Sequence, residues 1–300
     1  MGMSKKPLTI TQFFKTFPDD ETCLQHLFDV RFGQGFECPK CERPSNWYRI
    51  KAERAYSCQW CGHHLHPTVG TPFEQTRTPL QLWFYAMYLF TTTRHGVPAK
   101  ELERQLGVTY KTAWRMGHEI RKHMADVDGD ALLGGVGQVV EIDETLIGGS
   151  VSGKGSGYKG NKTTIVGMME KGGEVVTRVV TSRRREPMTE LIHSNVLPGT
   201  TVHTDEFGSY RHLDGCGFNH ETVQHKVGEY VSATGATVNA IESYWSQLKR
   251  SINGTHVSVS GKHLEKYAKE FEYRFNRRSC GDVMFSELLT SFGPLKPSRD

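Results

Sequence analysis

The sequence predicts a mixed α/β core, a sheet with helices on its faces, preceded by a small metal-binding ribbon and a helical unit. Three observations carry this expectation. Two Cys-x-x-Cys pairs stand sixteen residues apart near the N-terminus. Apolar residues at helical spacing dominate residues 78–124. From residue 138 onward, short β-branched runs and one helix follow in the order strand, hairpin, helix, strand, which gives a sheet of mixed direction. The expected boundaries are 1–75 for a helical lead-in and ribbon, 76–126 for the helical unit, and 138–294 for the core. The turn-rich DVDGDALLGGVG, 126–137, links the last two.

Composition narrows the class. The 300 residues carry 37 Lys+Arg against 33 Asp+Glu, a formal charge of +4. That excess is too small by itself to establish a nucleic-acid partner. No apolar run is long enough to span a membrane, and MGMSKKPLTITQFF lacks the apolar stretch of a secretion signal. Met follows Gly2, so myristoylation is not expected. The expected location is the cytoplasm, where seven cysteines suggest metal binding or reduced thiols rather than disulfides.

Phe13, Phe14, Phe17, Cys23, Leu24, Leu27 and Phe28 form a helical lead-in, with Pro18-Asp19-Asp20-Glu21 as a helix start. Cys38-Pro39-Lys40-Cys41 and Cys58-Gln59-Trp60-Cys61 then have the spacing of a four-thiolate zinc ribbon. Each pair makes a tight turn that aims two sulfurs at one tetrahedral centre, with Trp47, Tyr48, Ile50 and Tyr56 on hairpin strands between them. His63, His64 and His66 crowd the second pair. Four cysteines complete the site, so these histidines are expected at the surface or in packing. Thr78–Thr93 reads as a central apolar helix, and Pro98–Met124 as a helix-turn-helix. There Leu102, Leu106, Ala113, Met116 and Ile120 face inward across a Gly107-Val108 turn. Lys111, Thr112 and Arg115 should face outward on the second helix toward DNA, with Arg121 and Lys122 further along. Glu103 stands where the motif usually has a small residue, so a plain helical hairpin is the alternative.

In the core, Val139, Val140 and Ile142 form a short strand with Asp143 at its end. The glycine-rich basic loop 148–162 lacks the Walker lysine-serine ending, which argues against a nucleotide P-loop. Thr163–Met169 and Val175–Thr181 form an antiparallel pair turning at Gly172-Gly173. A helix over Pro187–Leu197 follows, then a strand over Thr200–Thr204 with Asp205 at its end, and a mostly loop segment from His220 to Asn239. Val238–His256 reads as a helix whose apolar stripe is Ile241, Tyr244, Trp245, Leu248 and Ile252. Glu242 sits at the edge of that stripe, with Ser246, Lys249 and Asn253 below it on one ridge. Lys262–Arg278 is a last helix, with Lys262, Lys266, Lys269, Arg274, Arg277 and Arg278 on an outward basic face.

A lone Glu on an amphipathic helix is usually just solvated. Two aspartates at strand ends change its meaning, because ligands gather at the strand ends of open sheets. Three converging carboxylates need counter-charge, which two hard divalent cations such as Mg2+ or Mn2+ supply in phosphodiester chemistry.

VEIDETLIGG, VHTDEFGSYR and VNAIESYWSQLKRSINGTH resemble the three catalytic blocks of bacterial insertion-sequence DDE transposases, specifically the zinc-ribbon group with an RNase H-like core. The resemblance runs from CPKC to EYRFNRR. It implies that Asp143, Asp205 and Glu242 are the metal-binding catalytic triad, with Trp245 as packing and Lys249 near DNA. It also implies that His225, in QHKVGEYV, helps the site, although a structural histidine is an equal alternative. The implied protein binds the terminal inverted repeats of its element as double-stranded DNA, assembles as a homo-oligomer on DNA, and cleaves and transfers strands into target DNA with Mg2+ or Mn2+. A catalytically silent DNA-binding regulator and a nuclease without strand transfer are the alternatives.

Overall fold

In the computed structural model, residues 8–129, 131–148, 162–224, 231–232 and 235–292 are described, and the chain forms two units. Positions 149–161 of the glycine-rich loop, and His225, lie outside the described residues.

The first unit runs to Val127 and takes in the chain again from Cys280. Its helices are α1 (Ile10–Thr16), α2 (Asp20–Arg31), α3 (Leu80–Thr92), α4 (Ala99–Leu106), α5 (Tyr110–Asp128) and α9 (Met284–Thr290). Local sequence sets several helix starts. Thr9 and Gln12 form a reciprocal capping box on α1, and the Asp19 carboxylate accepts from Thr22 N at 2.8 Å on α2. The turn between α4 and α5 begins at Gly107, whose φ of +64° is left-handed and favours glycine. Strands β1 (Trp47–Ile50), β2 (Ala55–Cys58) and β3 (His64–Leu65) form an antiparallel ribbon. The Tyr56 ring stacks on Phe28 of α2 at 4.1 Å.

Helix α9 departs from the expected boundary, which kept residues up to 294 in the catalytic core. Its Phe285 ring packs against Phe13, Phe17 and Tyr88, and Leu288 and Leu289 are buried. Two histidines bond carbonyls of its last turn, which have no helical partner. His123 Nε2 lies 2.7 Å from Leu288 O, and His26 Nε2 lies 3.2 Å from Leu289 O. Aromatic packing and these bonds hold the helix in the first unit.

The second unit, Asp128–Ser279, holds a five-stranded sheet in the order β10-β9-β5-β6-β7. The strands are β5 (Val139–Ile147), β6 (Thr163–Glu170), β7 (Val175–Val180), β9 (Thr201–Asp205) and β10 (Asn219–Val223); β4 (Leu133–Gly134) and β8 (Val196–Leu197) pair separately. Strands β10, β9 and β5 run parallel, whereas β5-β6-β7 is an antiparallel meander. Helix α6 (Arg185–Asn195) covers one face with Met188 and Ile192 over Val140, Ile142, Val166, Met168 and Val202. Helices α7 (Asn239–Ser251) and α8 (Gly261–Asn276) cover the other with Ile241, Tyr244, Trp245, Leu248, Leu264 and Phe271 over Ile147, Ile165 and Met169.

Three expectations for this unit are corrected. β5 continues past Asp143 to Ile147, because it goes on pairing with β6 as far as Ile147↔Thr163. A strand, β10, occupies the start of the segment expected to be loop; its polar NHETV gives little alternation to read, but it pairs with β9 along its length. The basic face of α8 is only partly outward. Lys269 pairs with Glu272 at 2.7 Å, Arg274 with Glu270 at 2.9 Å, and Arg277 with Asp128. Helix α8 also binds the backbone of edge strand β7. Glu272 accepts from Thr177 N at 2.8 Å, while Asn276 both donates to Val175 O and accepts from Val175 N.

Candidate active site

Asp143 lies mid-strand on β5, and Asp205 is the last residue of the adjacent parallel strand β9. Ile142 pairs with Thr204, so the two aspartates come next in step where β9 ends. Pleating sends alternate residues to opposite faces. Glu141, Asp143 and Ile147 face α7 and α8, while Val140, Ile142 and Glu144 face α6.

Three contacts register α7 on the sheet. Glu141, 2% exposed, accepts from Ala240 N at 2.8 Å, Ile241 N at 3.0 Å and Thr237 Oγ1 at 2.8 Å. Those amides belong to the first turn, where donors lack helical partners and a carboxylate meets the positive end of the helix dipole. Trp245 Nε1 donates to Asp143 Oδ2 at 3.0 Å. Gly167, paired with Asp143 across the β5-β6 ladder, leaves room for that indole. A Cβ at Gly167 would stand 2.7 Å from both Ile241 Cδ1 and Trp245 Cζ2. Glu242, one turn before Trp245, is exposed, and its charge acts on Asp143. Burial, then the charges of Glu144, Asp205 and Glu242, push the Asp143 carboxyl up to about 7 against a lowering backbone hydrogen bond at Glu144. The charges of Asp205 and Glu242 thus both reach Asp143. Lys249 is exposed further along α7.

On the other face, Glu144 accepts from Tyr210 Oη at 2.6 Å and Arg183 Nη1 at 3.4 Å. Its pKa is raised chiefly by burial, with Tyr210 opposing. Arg183 also lies over the Phe207 ring at 5.3 Å, its carbonyl accepts from Ser209 Oγ, and Phe207 N donates to Asp205 Oδ1 at 2.9 Å. These bonds tie the turn after Asp205 to β5. A cleft of about 440 Å3 opens there, lined by Asp205, Phe207, Arg211 and His220.

The oxygen-only donor set of Asp143, Asp205 and Glu242 suits hard divalent cations. In the ribbon, the sulfurs of Cys38, Cys41, Cys58 and Cys61 lie within 4.8 Å of one another. Cys38 to Cys61 is 3.7 Å and Cys41 to Cys58 is 3.8 Å, close to the ~3.8 Å tetrahedral edge implied by Zn–S bonds of about 2.3 Å. Ser45 Oγ and Trp60 N reach Cys58 Sγ at 3.2 and 3.4 Å, as donors to a thiolate would. The donor set suits one structural zinc.

Residues 132–276 match the model of the ISXO2-like transposase domain, and residues 18–64 match that of the transposase zinc-ribbon domain. The chain belongs to the zinc-ribbon, ISXO2-like transposases. It is similar to a protein of Halobacterium salinarum named "Uncharacterized protein in transposable element ISH50", 27% identical over 280 residues, which covers 87% of this chain and 92% of the relative. It is also similar to an "Uncharacterized transposase-like protein" of Haemophilus influenzae, 31% identical over 103 residues, 34% of this chain and 81% of the relative. The order of the transposase is therefore a zinc ribbon followed by a DDE domain.

The expected DNA-contact residues of the transposase divide. Lys111 and Lys122 are exposed on α5, Lys122 at 2.8 Å from Glu119, and Thr112 is half-buried. Arg115 is half-buried over Trp83 and donates to Thr76 Oγ1 at 3.2 Å. Arg121 does not face outward as expected. It is 3% exposed, donates to Val97 O at 3.2 Å and lies over Phe90 at 5.0 Å. Tyr110 and Trp114, not anticipated as contact residues, are exposed on the same helix.

Glu141, Glu144 and Gly167 were also missed. Nothing within VVEIDETLI sets Glu141 apart, since Asp143 and Glu144 are charged on the same strand; its role comes from the α7 amides it meets.

Proposed function

We propose that this transposase binds the terminal inverted repeats of its insertion sequence and performs metal-dependent strand cleavage and strand transfer, with Asp143, Asp205 and Glu242 as the catalytic carboxylates. The observation carrying the proposal is that Asp143 and Asp205 stand in step on adjacent strands β5 and β9, with the charges of Asp205 and Glu242 among those that raise the Asp143 carboxyl, so that bound cations would favour its ionised form. Bound Mg2+ or Mn2+ would neutralise the site, activate water or a 3′-hydroxyl, and stabilise the departing oxygen. Asp143 and Asp205 would hold the ions from adjacent strands, and Glu242 from α7. Trp245 keeps one Asp143 oxygen occupied, which fixes the direction of the other. His225 is proposed as a helper and Lys249 as a contact to DNA phosphate.

The parallel β10-β9-β5 set joined to the β5-β6-β7 meander supports an RNase H-like core. The three-residue break at Gly107 between α4 and α5, with Tyr110, Lys111 and Trp114 exposed on α5, supports a helix-turn-helix that carries the ribbon's DNA contacts further. The working form is proposed to be a homo-oligomer on DNA in the cytoplasm. Among the described residues, no helix is long and apolar enough to cross a membrane.

The test uses labelled element ends with Mg2+ or Mn2+. Asp143→Asn, Asp205→Asn and Glu242→Gln are nearly isosteric. Each should retain end binding and zinc, yet lose cleavage, because an amide is a poor ligand for a hard cation. Full activity in Glu242→Gln would remove α7 from the site. Cleaved ends without joined products would reduce the protein to a nuclease.

A further inference from the structure

A second group of metal-ligating side chains stands in the ribbon apart from the four cysteines. Glu53 lies on the turn between β1 and β2, His64 on β3, and His66 just beyond β3. The antiparallel register, Ser57↔His64 and Tyr56↔Leu65, folds β3 back along β2 toward that turn. One ligand atom from each residue lies within 4.8 Å of the others. His64 Nδ1 and Glu53 Oε1 are 2.8 Å apart. Two ligands on one ion at about 2.0–2.1 Å stand ~2.9–3.4 Å apart, for octahedral or tetrahedral angles, so this pair is already near coordination spacing. Glu53 and His64 are exposed, which leaves their side chains free to close the remaining distance. None of the three belongs to the cysteine centre or to the carboxylates around Asp143.

We propose that Glu53, His64 and His66 form a second, exchangeable metal site, a two-imidazole, one-carboxylate set that selects a borderline divalent ion such as Zn2+ or Ni2+. Imidazole nitrogen favours these ions over Mg2+ and Ca2+, which prefer oxygen. Three protein ligands leave coordination positions open to water, so the ion binds more weakly than one enclosed by four thiolates. When bound, it fastens the β1-β2 turn to β3, which the sheet otherwise joins through only two residue pairs.

The experiment uses full-length, tag-free protein carrying its cysteine-bound zinc, kept in saturating Mg2+ so that the catalytic carboxylates are occupied. Titration with Ni2+ or Zn2+ is followed by calorimetry. One further equivalent should bind the wild type. Glu53→Gln, His64→Ala and His66→Ala should each lose or strongly weaken it, while His63→Ala should retain it. Cysteine-bound zinc content and Tm in the absence of added ion should stay at wild-type values, which separates loss of the site from loss of the fold. Glu53→Gln is the near-isosteric safeguard should either alanine variant misfold. No further equivalent, or one unchanged in all three variants, overturns the proposal and leaves Glu53–His64 as a surface ion pair.

Discussion

Gly167→Ala is the sharpest test of how the site is assembled. The added methyl would meet Ile241 Cδ1 and Trp245 Cζ2 at 2.7 Å and Trp245 Cη2 at 2.8 Å, roughly 1 Å inside the ~3.5–4.0 Å optimum for carbon contacts. All three atoms belong to α7 side chains buried against the sheet. Overpacking of this kind costs about 1–3 kcal/mol. If the indole swings away, the 3.0 Å bond to Asp143 is lost too, and bonds to charged groups contribute ~1.5–3 kcal/mol. The gain from replacing glycine inside a strand offsets only about 0.5–1 kcal/mol. With the indole displaced, the net expectation is a destabilisation of about 1.5–5.5 kcal/mol, or ~3–22 °C in Tm at ~2–4 °C per kcal/mol for a domain of this size. Thermal unfolding of the metal-free protein measures it, and the emission of Trp245, compared with a Trp245→Phe control, reports the indole environment. An unchanged Tm with unchanged Trp245 emission would refute the claim that Gly167 makes room for the indole.

Four further outcomes follow from the same geometry. Glu141→Ala strips the acceptor from two first-turn amides and should destabilise by on the order of 3 kcal/mol, with weaker Mn2+ binding by calorimetry; Glu141→Gln should fall between Ala and wild type. Burial holds His123 below the ordinary histidine pKa, with the bond to Leu288 opposing, so protons bind the unfolded chain preferentially. Stability of the first unit should therefore be full above about pH 6.5 and fall as the pH drops through it; urea midpoints across that range should flatten in His123→Gln. Chelation of zinc should unfold the ribbon and leave the second unit's sheet intact, as amide exchange would show; preserved ribbon protection would contradict structural zinc. Arg121→Ala should lower Tm without a selective change in the salt dependence of DNA binding, whereas Lys111→Ala should reduce that salt slope by ~1 if it contacts phosphate.

The cysteine spacing locates the ribbon, and short β-branched and apolar runs place β5, β6, β7 and β9 to within a few residues, because helices cover the sheet on both faces. β10 escaped because its stability comes from pairing with β9 rather than from a pattern within NHETV. Arg121 was misplaced for a related reason. Helical spacing shows which residues share a face, but not that Phe90 and the Val97 carbonyl wait to receive a guanidinium. At the candidate site, Asp143, Asp205 and Glu242 could be singled out as residue types in a familiar order. Glu141 and Gly167 could not, since their roles depend on where α7 crosses the sheet, some seventy-five to a hundred positions away in the chain.

The return of α9 to the first unit sets an order of events during synthesis. Ribosomes extend chains at about 5–20 residues per second, and domains fold as their sequence emerges. The described strands and helices of the second unit are all out once Ser279 is. The first unit, although begun earlier, still lacks the Phe285, Leu288 and Leu289 side chains that complete its packing. The nascent protein should therefore be able to close the sheet of its second unit while Phe13, Phe17 and Tyr88 still await Phe285. A ribosome stalled just before Met284 would leave that aromatic surface open to chaperones, which makes α9 the step that completes the first unit.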